Sequence, residues 1–189
     1  MGAERTRTRW TYAEFARLPS EGSTRYEVID DELYVTPAPS ARHQRVVTDL
    51  VVQLGAFVRA HDLGELFVSP LDVLFAEGDY VEPDLLFVGR DGTDIVSDRG
   101  VEGAPDLVVE VLSPSTASRD RGIKLDRYRL FGVPEYWIVD PELRTVEVWK
   151  LAERADEPVT LSAAESLRWQ LMPGGPALEL PLEELFGSA

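Results

Sequence analysis

Between Ser40 and Ala60 the apolar residues Val46, Val47, Leu50, Val51, Leu54 and Val58 recur at steps of three and four. That is the spacing of one helix face. Ser40, just after the chain breakers Pro37 and Pro39, stands where an N-cap belongs. Residues 26–36, YEVIDDELYVT, predict a hairpin turning at Asp30-Asp31, and further strands are expected near 66–75, 81–88 and 105–112. Two segments are near copies: PDLLFV at 83–88 and PDLVVEVL at 105–112. Each opens with Pro, which suits the first position of a strand, then carries Asp and an apolar run of strand length. A continuous apolar run marks a strand buried on both faces. Only the second copy has an acid in its middle, Glu110.

The remaining elements follow from local signals. Thr11 to Leu18 predicts a short helix, with Thr11 and Glu14 forming a capping box. Ser113-Pro114-Ser115-Thr116 ends the Glu110 strand and caps a helix over about 117–131, which Gly132 and Pro134 stop. Residues 135–140, EYWIVD, and 144–150, RTVEVWK, predict two strands joined by a tight Asp-Pro-Glu turn. Weaker strands are expected near 157–162 and 167–171, then a PGGP break at 173–176 and the terminal segment LELPLEELF. This order predicts an α/β fold, a mixed sheet with helices against it. No linker or long-period repeat divides the 189 residues. One domain is expected, with its core at about 10–150 and C-terminal strands and tail over 151–189.

Composition narrows the chemistry. The absence of Cys excludes disulfides, Cys-based zinc sites and Cys nucleophiles. Only His43 and His61 are available for imidazole chemistry, so any metal should be a hard cation on oxygen ligands. No apolar stretch approaches the roughly 18 residues of a membrane span. The start MGAERTRTRW lacks the apolar core of a secretory signal, so a cytoplasmic protein is expected. Gly2 and Thr6 match the short myristoylation pattern. The formal charge of −15 repels nucleic acid at long range. Residues 119–129, RDRGIKLDRYR, reverse that locally, with five basic groups against two acids.

Glu110 lies in an apolar run, where an unpaired carboxylate is strongly penalised; it must be neutral, paired or holding a metal. Alternation puts Asp106, Val108, Glu110 and Leu112 on one face. Asp106 is roughly 13 Å from Glu110 at about 3.3 Å per residue, too far for ligands that lie about 2.0–2.6 Å from one cation. Asp84, at the start of the preceding strand, is the better partner. On the 117–131 helix, Asp120, Lys124, Tyr128 and Phe131 fall on one side, which draws Lys124 inward toward the two acids. Two carboxylates, a divalent cation and a Lys make a phosphodiesterase set: the cation generates the nucleophile and neutralises phosphate charge, and the Lys stabilises transition-state charge. Arg119, Arg121, Arg127 and Arg129 are candidates for phosphate contact.

Plainer readings exist for each residue. Glu110 could be a buried acid paired with Lys124 or an Arg, and Asp84 a turn-capping acid. Lys124 could pair with Asp120 on a solvated face, worth only about 0.3–0.5 kcal/mol. Asp106 is expected to cap the strand entrance, His43 to lie on the exposed or edge face of its helix, and Tyr136 and Trp137 to be core.

PD at 83–84 followed by Glu110 on the next apolar strand resembles the PD-(D/E)XK nuclease superfamily. The wider texture, YEVIDDELYVTPAPSARHQ, EPDLLFV and APDLVVEVLSPSTASRDRGIKLDRYRLFGVPEYWIVDP, resembles the bacterial Uma-type restriction-endonuclease family over about residues 10–150. The resemblance implies a restriction-endonuclease-like mixed central β-sheet flanked by α-helices. It also implies Mg2+ (or Mn2+) held by Asp84 and Glu110, an assisting Lys, DNA as substrate, and a possible homodimer. One position departs from the superfamily pattern: two residues after Glu110 stands Leu112, not Lys, and Lys124 is the residue that would replace it. A glycosidase would also use two carboxylates but explains neither Lys124 nor the Arg cluster. A nuclease fold kept for contact without catalysis is the other alternative, favoured by the charge and the missing strand Lys. No phosphate-binding P-loop, dinucleotide fingerprint or nucleophile elbow is present.

Overall fold

The apolar run at β9 (Leu107–Val111) is covered on both faces, and the layers of the protein are stacked around it. In the computed structural model, which describes residues 9–19 and 24–187, β9 lies inside a six-stranded sheet. Its neighbours are β6 (Leu85–Gly89), antiparallel, and β10 (Glu135–Asp140), parallel. Outward from these, β3 (Gly64–Val68) pairs with β6, and β11 (Thr145–Lys150) with β10; β12 (Val159–Ser162) closes the far edge. The parallel pair β9–β10 requires a crossover, and residues 117–131 supply it as a helix. The Gly2 and Thr6 pattern lies outside the described residues.

One face of this sheet is covered by α2 (Ala41–His61), capped by Ser40, whose hydroxyl accepts from the His43 N–H. Leu50, Leu54 and Val58 on its stripe are buried against Val109, Val111 and Trp137, and burying each such side chain is worth about 1.5–3 kcal/mol. The C-terminal hairpin, β13 (Ser166–Trp169) with β14 (Leu178–Pro181), and α5 (Leu182–Phe186) complete this face through Leu167, Trp169, Leu180, Leu182 and Leu185.

The other face carries a feature that the sequence does not announce: a second sheet of six strands. It contains the hairpin β1 (Arg25–Ile29) and β2 (Glu32–Thr36), then β5 (Asp79–Val81), β4 (Val73–Ala76) and the short ribbon β8 (Gly100–Val101) with β7 (Val96–Ser97). The hairpin turns at Asp30 (φ 52°) and Asp31 (φ 63°), two left-handed residues in succession as a tight hairpin turn requires. The expected strands 66–75 and 81–88 are each split between the two sheets. Pro70 and Pro83 mark both crossings, since neither can donate to a ladder. The outer side of the second sheet packs Val28, Leu74 and Tyr80 under Phe15 of α1 (Tyr12–Phe15), whose Thr11–Glu14 capping box is formed.

The crossover helix is not uniform. Between α3 (Ala117–Arg119) and α4 (Leu125–Phe131) the turn Asp120–Lys124 is a π-helix. Such wide turns are rare and recur at functional sites. This one holds Asp120 and Lys124, both buried.

Candidate active site

Asp84 follows Pro83 at the point where the chain re-enters the central sheet. Pairing of Leu85 with Val109 brings Asp84 level with Glu110 on the adjacent strand. Both are buried, with 4% exposure each, at the floor of a cleft of about 340 Å³ that is walled by residues 37–40 and 113–116.

Each carboxylate is held by named partners. Asp84 Oδ1 accepts from Arg25 Nη1 at 3.0 Å. Its Oδ2 accepts from the Val111 N–H at 2.9 Å and lies 3.0 Å from His43 Nε2. Burial alone would raise its pKa, but the His43 and Arg25 contacts and the Val111 N–H hold it below the usual carboxylate range. Glu110 Oε1 accepts from the Tyr128 hydroxyl at 2.8 Å and lies 2.5 Å from Lys124 Nζ. Burial dominates here, with Asp120, Asp84 and Glu27 adding repulsion that Lys124 only partly offsets, and its pKa is pushed up to about 8. The cause is crowding of one sign.

Lys124 is 2% exposed, and its ammonium lies 2.7 Å from Glu27 Oε1, 2.5 Å from Glu110 Oε1 and 3.9 Å from Asp120 Oδ1. Burial favours the neutral amine, yet the surrounding carboxylates raise its pKa above the ordinary Lys value. Glu27, on the inner face of β1, also accepts from the Glu82 N–H at 3.1 Å and pairs with Arg119 at 3.2 Å. Burial opposes its ionisation, but Lys124 and Arg119 keep it below the usual range. Glu82 at the cleft wall is pushed up to about 7 by burial, despite Arg25 beside it. Five acids, Glu27, Glu82, Asp84, Glu110 and Asp120, thus share Lys124, Arg25 and Arg119. Oδ1 of Asp120 is buried without a hydrogen-bond partner.

The family model of Uma2, described as "Putative restriction endonuclease", matches residues 12–183. The chain belongs to the Uma2 family. Its match spans Glu27, Asp84, Glu110 and Lys124. An uncharacterized protein of Synechocystis sp. is 27% identical over 139 residues, 72% of this chain and 78% of that one. The crystal structure of "a putative nuclease belonging to DUF820" from Anabaena variabilis superposes with a TM-score of 0.75 at 20% identity, covering 93% of this chain and 97% of that chain. The restriction-endonuclease-like α/β fold, a mixed central sheet flanked by helices, is thereby shared.

In this Uma2 fold the residues picked out in the sequence separate into two groups. Asp84, Glu110 and Lys124 meet at one floor, and Arg119 reaches the same cleft, where it also donates to Thr36 Oγ1 at 2.8 Å. Arg121 and Arg127 are not among the cleft residues. Arg121 pairs with Asp140 and Glu147, and Arg127 grips both oxygens of Asp79 at 2.7 and 2.6 Å. Asp106 caps the Gly89 N–H at 2.7 Å, and Tyr136 and Trp137 are core.

Lys124 is turned inward as expected, and the plainer reading of a solvated face does not hold. One expectation is corrected. His43 is not on the exposed side of α2; it is 4% exposed and turned to Asp84. The signal for His43 was present, since it precedes Val46 and Val47 by three and four residues on the buried stripe. Glu27 was legible only with the second sheet in hand, because alternation sets it beside Ile29 on the face turned to the core.

The donor set fits a hard divalent ion. Among the described residues no group of three or more His, Cys, Asp or Glu side chains is arranged to hold a metal. Two carboxylates with water and phosphate oxygens completing the shell is nevertheless how Mg2+ is commonly bound, and the surplus of buried acid favours an added cation.

Proposed function

We propose that this chain is a metal-dependent endonuclease that hydrolyses phosphodiester bonds in DNA. The observation that carries the reading is the delivery of the Lys124 ammonium to within 2.5 Å of Glu110, level with Asp84, on the floor of an open cleft where acids outnumber cations. Leu112, where the superfamily pattern places Lys, is buried in the core. Lys124 reaches the same carboxylate from the crossover helix instead.

Asp84 and Glu110 would hold Mg2+ or Mn2+, which when bound polarises the phosphate and makes water a better nucleophile. The rest is done by the chain. Arg25, His43 and the Val111 N–H fix the Asp84 carboxylate, and Tyr128 fixes Glu110, so neither must reorganise as charge develops. Lys124 remains an ammonium, because its neighbours raise its pKa. It therefore acts as a hydrogen-bond donor and positive charge toward the attacked phosphate, not as a base. Glu27, itself held by Arg119, orients it from behind.

Isothermal titration of Mn2+ into the wild type and Glu110→Ala, followed by a plasmid-nicking assay with both, tests the reading. Binding and nicking in the wild type and loss of both in the variant are expected. Absence of Mn2+ binding to the wild type, with the fold intact by circular dichroism, overturns it. A contact protein on a nuclease scaffold is the second reading, favoured by one observation: both Asp84 oxygens already have hydrogen-bond partners. Mn2+ binding without nicking of any DNA form supports that alternative.

A further inference from the structure

The arginines first expected to meet phosphate are largely committed elsewhere, which raises the question of what in this acidic chain meets the DNA backbone. Beside the cleft lies a second recess of about 350 Å³, between the first turns of α2 and the β10–β11 turn. It shares Arg42, Pro141 and Glu142 with the cleft and adds Arg45 and Arg144. Arg42 and Arg45 stand three residues apart on α2, hence on one side of it. Arg144 enters from the opposite wall, on a left-handed turn residue (φ 55°).

These side chains are available in a way that Arg121 and Arg127 are not. Arg45 is exposed and has no ion-pair partner among the described residues. Arg42, 56% exposed, is paired among the described residues only with Glu142, itself 71% exposed, at 2.7 Å. An exposed pair of this kind is worth about 0–1 kcal/mol, so a phosphate can displace Glu142 at small cost. Among the described residues Arg144 donates only to the Gly187 carbonyl, at 2.8 Å. Asp49 and Glu142 are the acids of the recess, so arginine is in excess where the rest of the chain is acidic.

We infer that this recess is the track for the DNA backbone flanking the scissile phosphate, with Arg42, Arg45 and Arg144 contacting phosphates and Glu142 holding the place of one in the free protein. The inference rests on the nuclease reading and assigns the substrate contacts of that same site. Phosphate contacts of this kind set register and orientation without reading sequence.

Binding of a fluorescent duplex DNA, followed by anisotropy over a series of salt concentrations in EDTA and again in Ca2+, tests it. Each arginine that engages a phosphate steepens the dependence of log K on log salt by about 0.9. Removing Arg42, Arg45 and Arg144 together is therefore expected to flatten the slope by about 2–3 and to weaken binding at least about tenfold near 0.1 M salt, equally for unrelated sequences. Glu142→Gln, by freeing Arg42, should tighten binding at low salt by about two- to fivefold. Arg59→Ala, an exposed arginine at the far end of α2, should leave the slope unchanged. Wild-type binding with an unaltered slope in the triple variant, or an equal change in Arg59→Ala, overturns this assignment alone. Failure of the wild type to bind DNA in either medium overturns the nuclease reading with it.

Discussion

Lys124 and Arg127 stand one turn apart on the same helix, and each brings a positive charge to carboxylates that are almost fully buried. Their surroundings differ in balance. Arg127 presents a planar fork to both oxygens of Asp79 and a further contact to Asp30 at 3.3 Å, while Asp79 caps the Asp30 N–H. Every group there has a partner, and the pair ties the helix to the second sheet. Around Lys124 one ammonium is divided among Glu27, Glu110 and Asp120, Glu110 is pushed up to about 8, and buried atoms of Asp120 and Arg119 lack hydrogen-bond partners. Buried charge by itself marks no site, since structural ion pairs perturb pKa values too. The proposed site rests on a surplus of one sign opening onto a cleft.

Removing each cation separates the two cases. Lys124→Ala leaves Glu27, Glu110 and Asp120 without the cation they share, and loss of one partner from such a buried network costs about 3–5 kcal/mol. Urea unfolding at pH 7.5 should show that loss; a cost below about 1 kcal/mol would mean that the acids reach solvent, and the contrast would fail. Arg127→Ala removes charged hydrogen bonds from Asp79 at a partly exposed position, and about 2–3 kcal/mol is expected. Mn2+ titration of this variant should match the wild type. If its Mn2+ binding disappears, the two networks are one unit and the division drawn between them is wrong.

The sequence showed the parts of this arrangement that depend on neighbours in the chain. The α2 stripe with its Ser40 cap, the Asp30-Asp31 turn, the Thr11–Glu14 capping box and the two apolar strands are local patterns, and the structure contains them; the cap expected at Ser113–Thr116 makes no side-chain capping bond. Asp84 and Glu110 were legible as a pair because adjacent strands of similar pattern tend to pair. The second sheet was hidden, since its strands are short and two of them lie next to central strands in the chain, separated only by the short segments 69–72 and 82–84, each with one proline. Glu27 was hidden with it: an acid on a hairpin is ordinarily solvated, and only the layer above β1 buries it. The π-turn has no sequence signature that separates it from an ordinary helix, although Lys124 depends on it for its place.

The smallest effects give the sharpest division, because Glu27 and Glu110 touch the same amine, at 2.7 and 2.5 Å, yet are shifted in opposite directions. Glu27 is held below the usual range, so its ionisation stabilises the fold above its unfolded pKa, and that contribution is lost as pH falls through the folded value. Glu27→Gln should therefore cost about 1–2 kcal/mol at pH 7. Glu110 runs the other way. With a folded pKa of about 8 against an ordinary 4.5, the native state holds a proton that the unfolded chain has released. Its stabilising share is complete below pH 4.5 and is lost as pH rises through about 8. At pH 7 the residue is mostly neutral already, and Glu110→Gln keeps an acceptor for Tyr128 and Lys124, so the change should be under about 1 kcal/mol. Urea unfolding of both proteins from pH 5 to 9 should then show the wild type losing stability relative to the variant as pH rises. Parallel curves across that window would place an ionised Glu110 beside Lys124 at neutrality and show that Lys124 offsets the burial and crowding from which the raised value was argued.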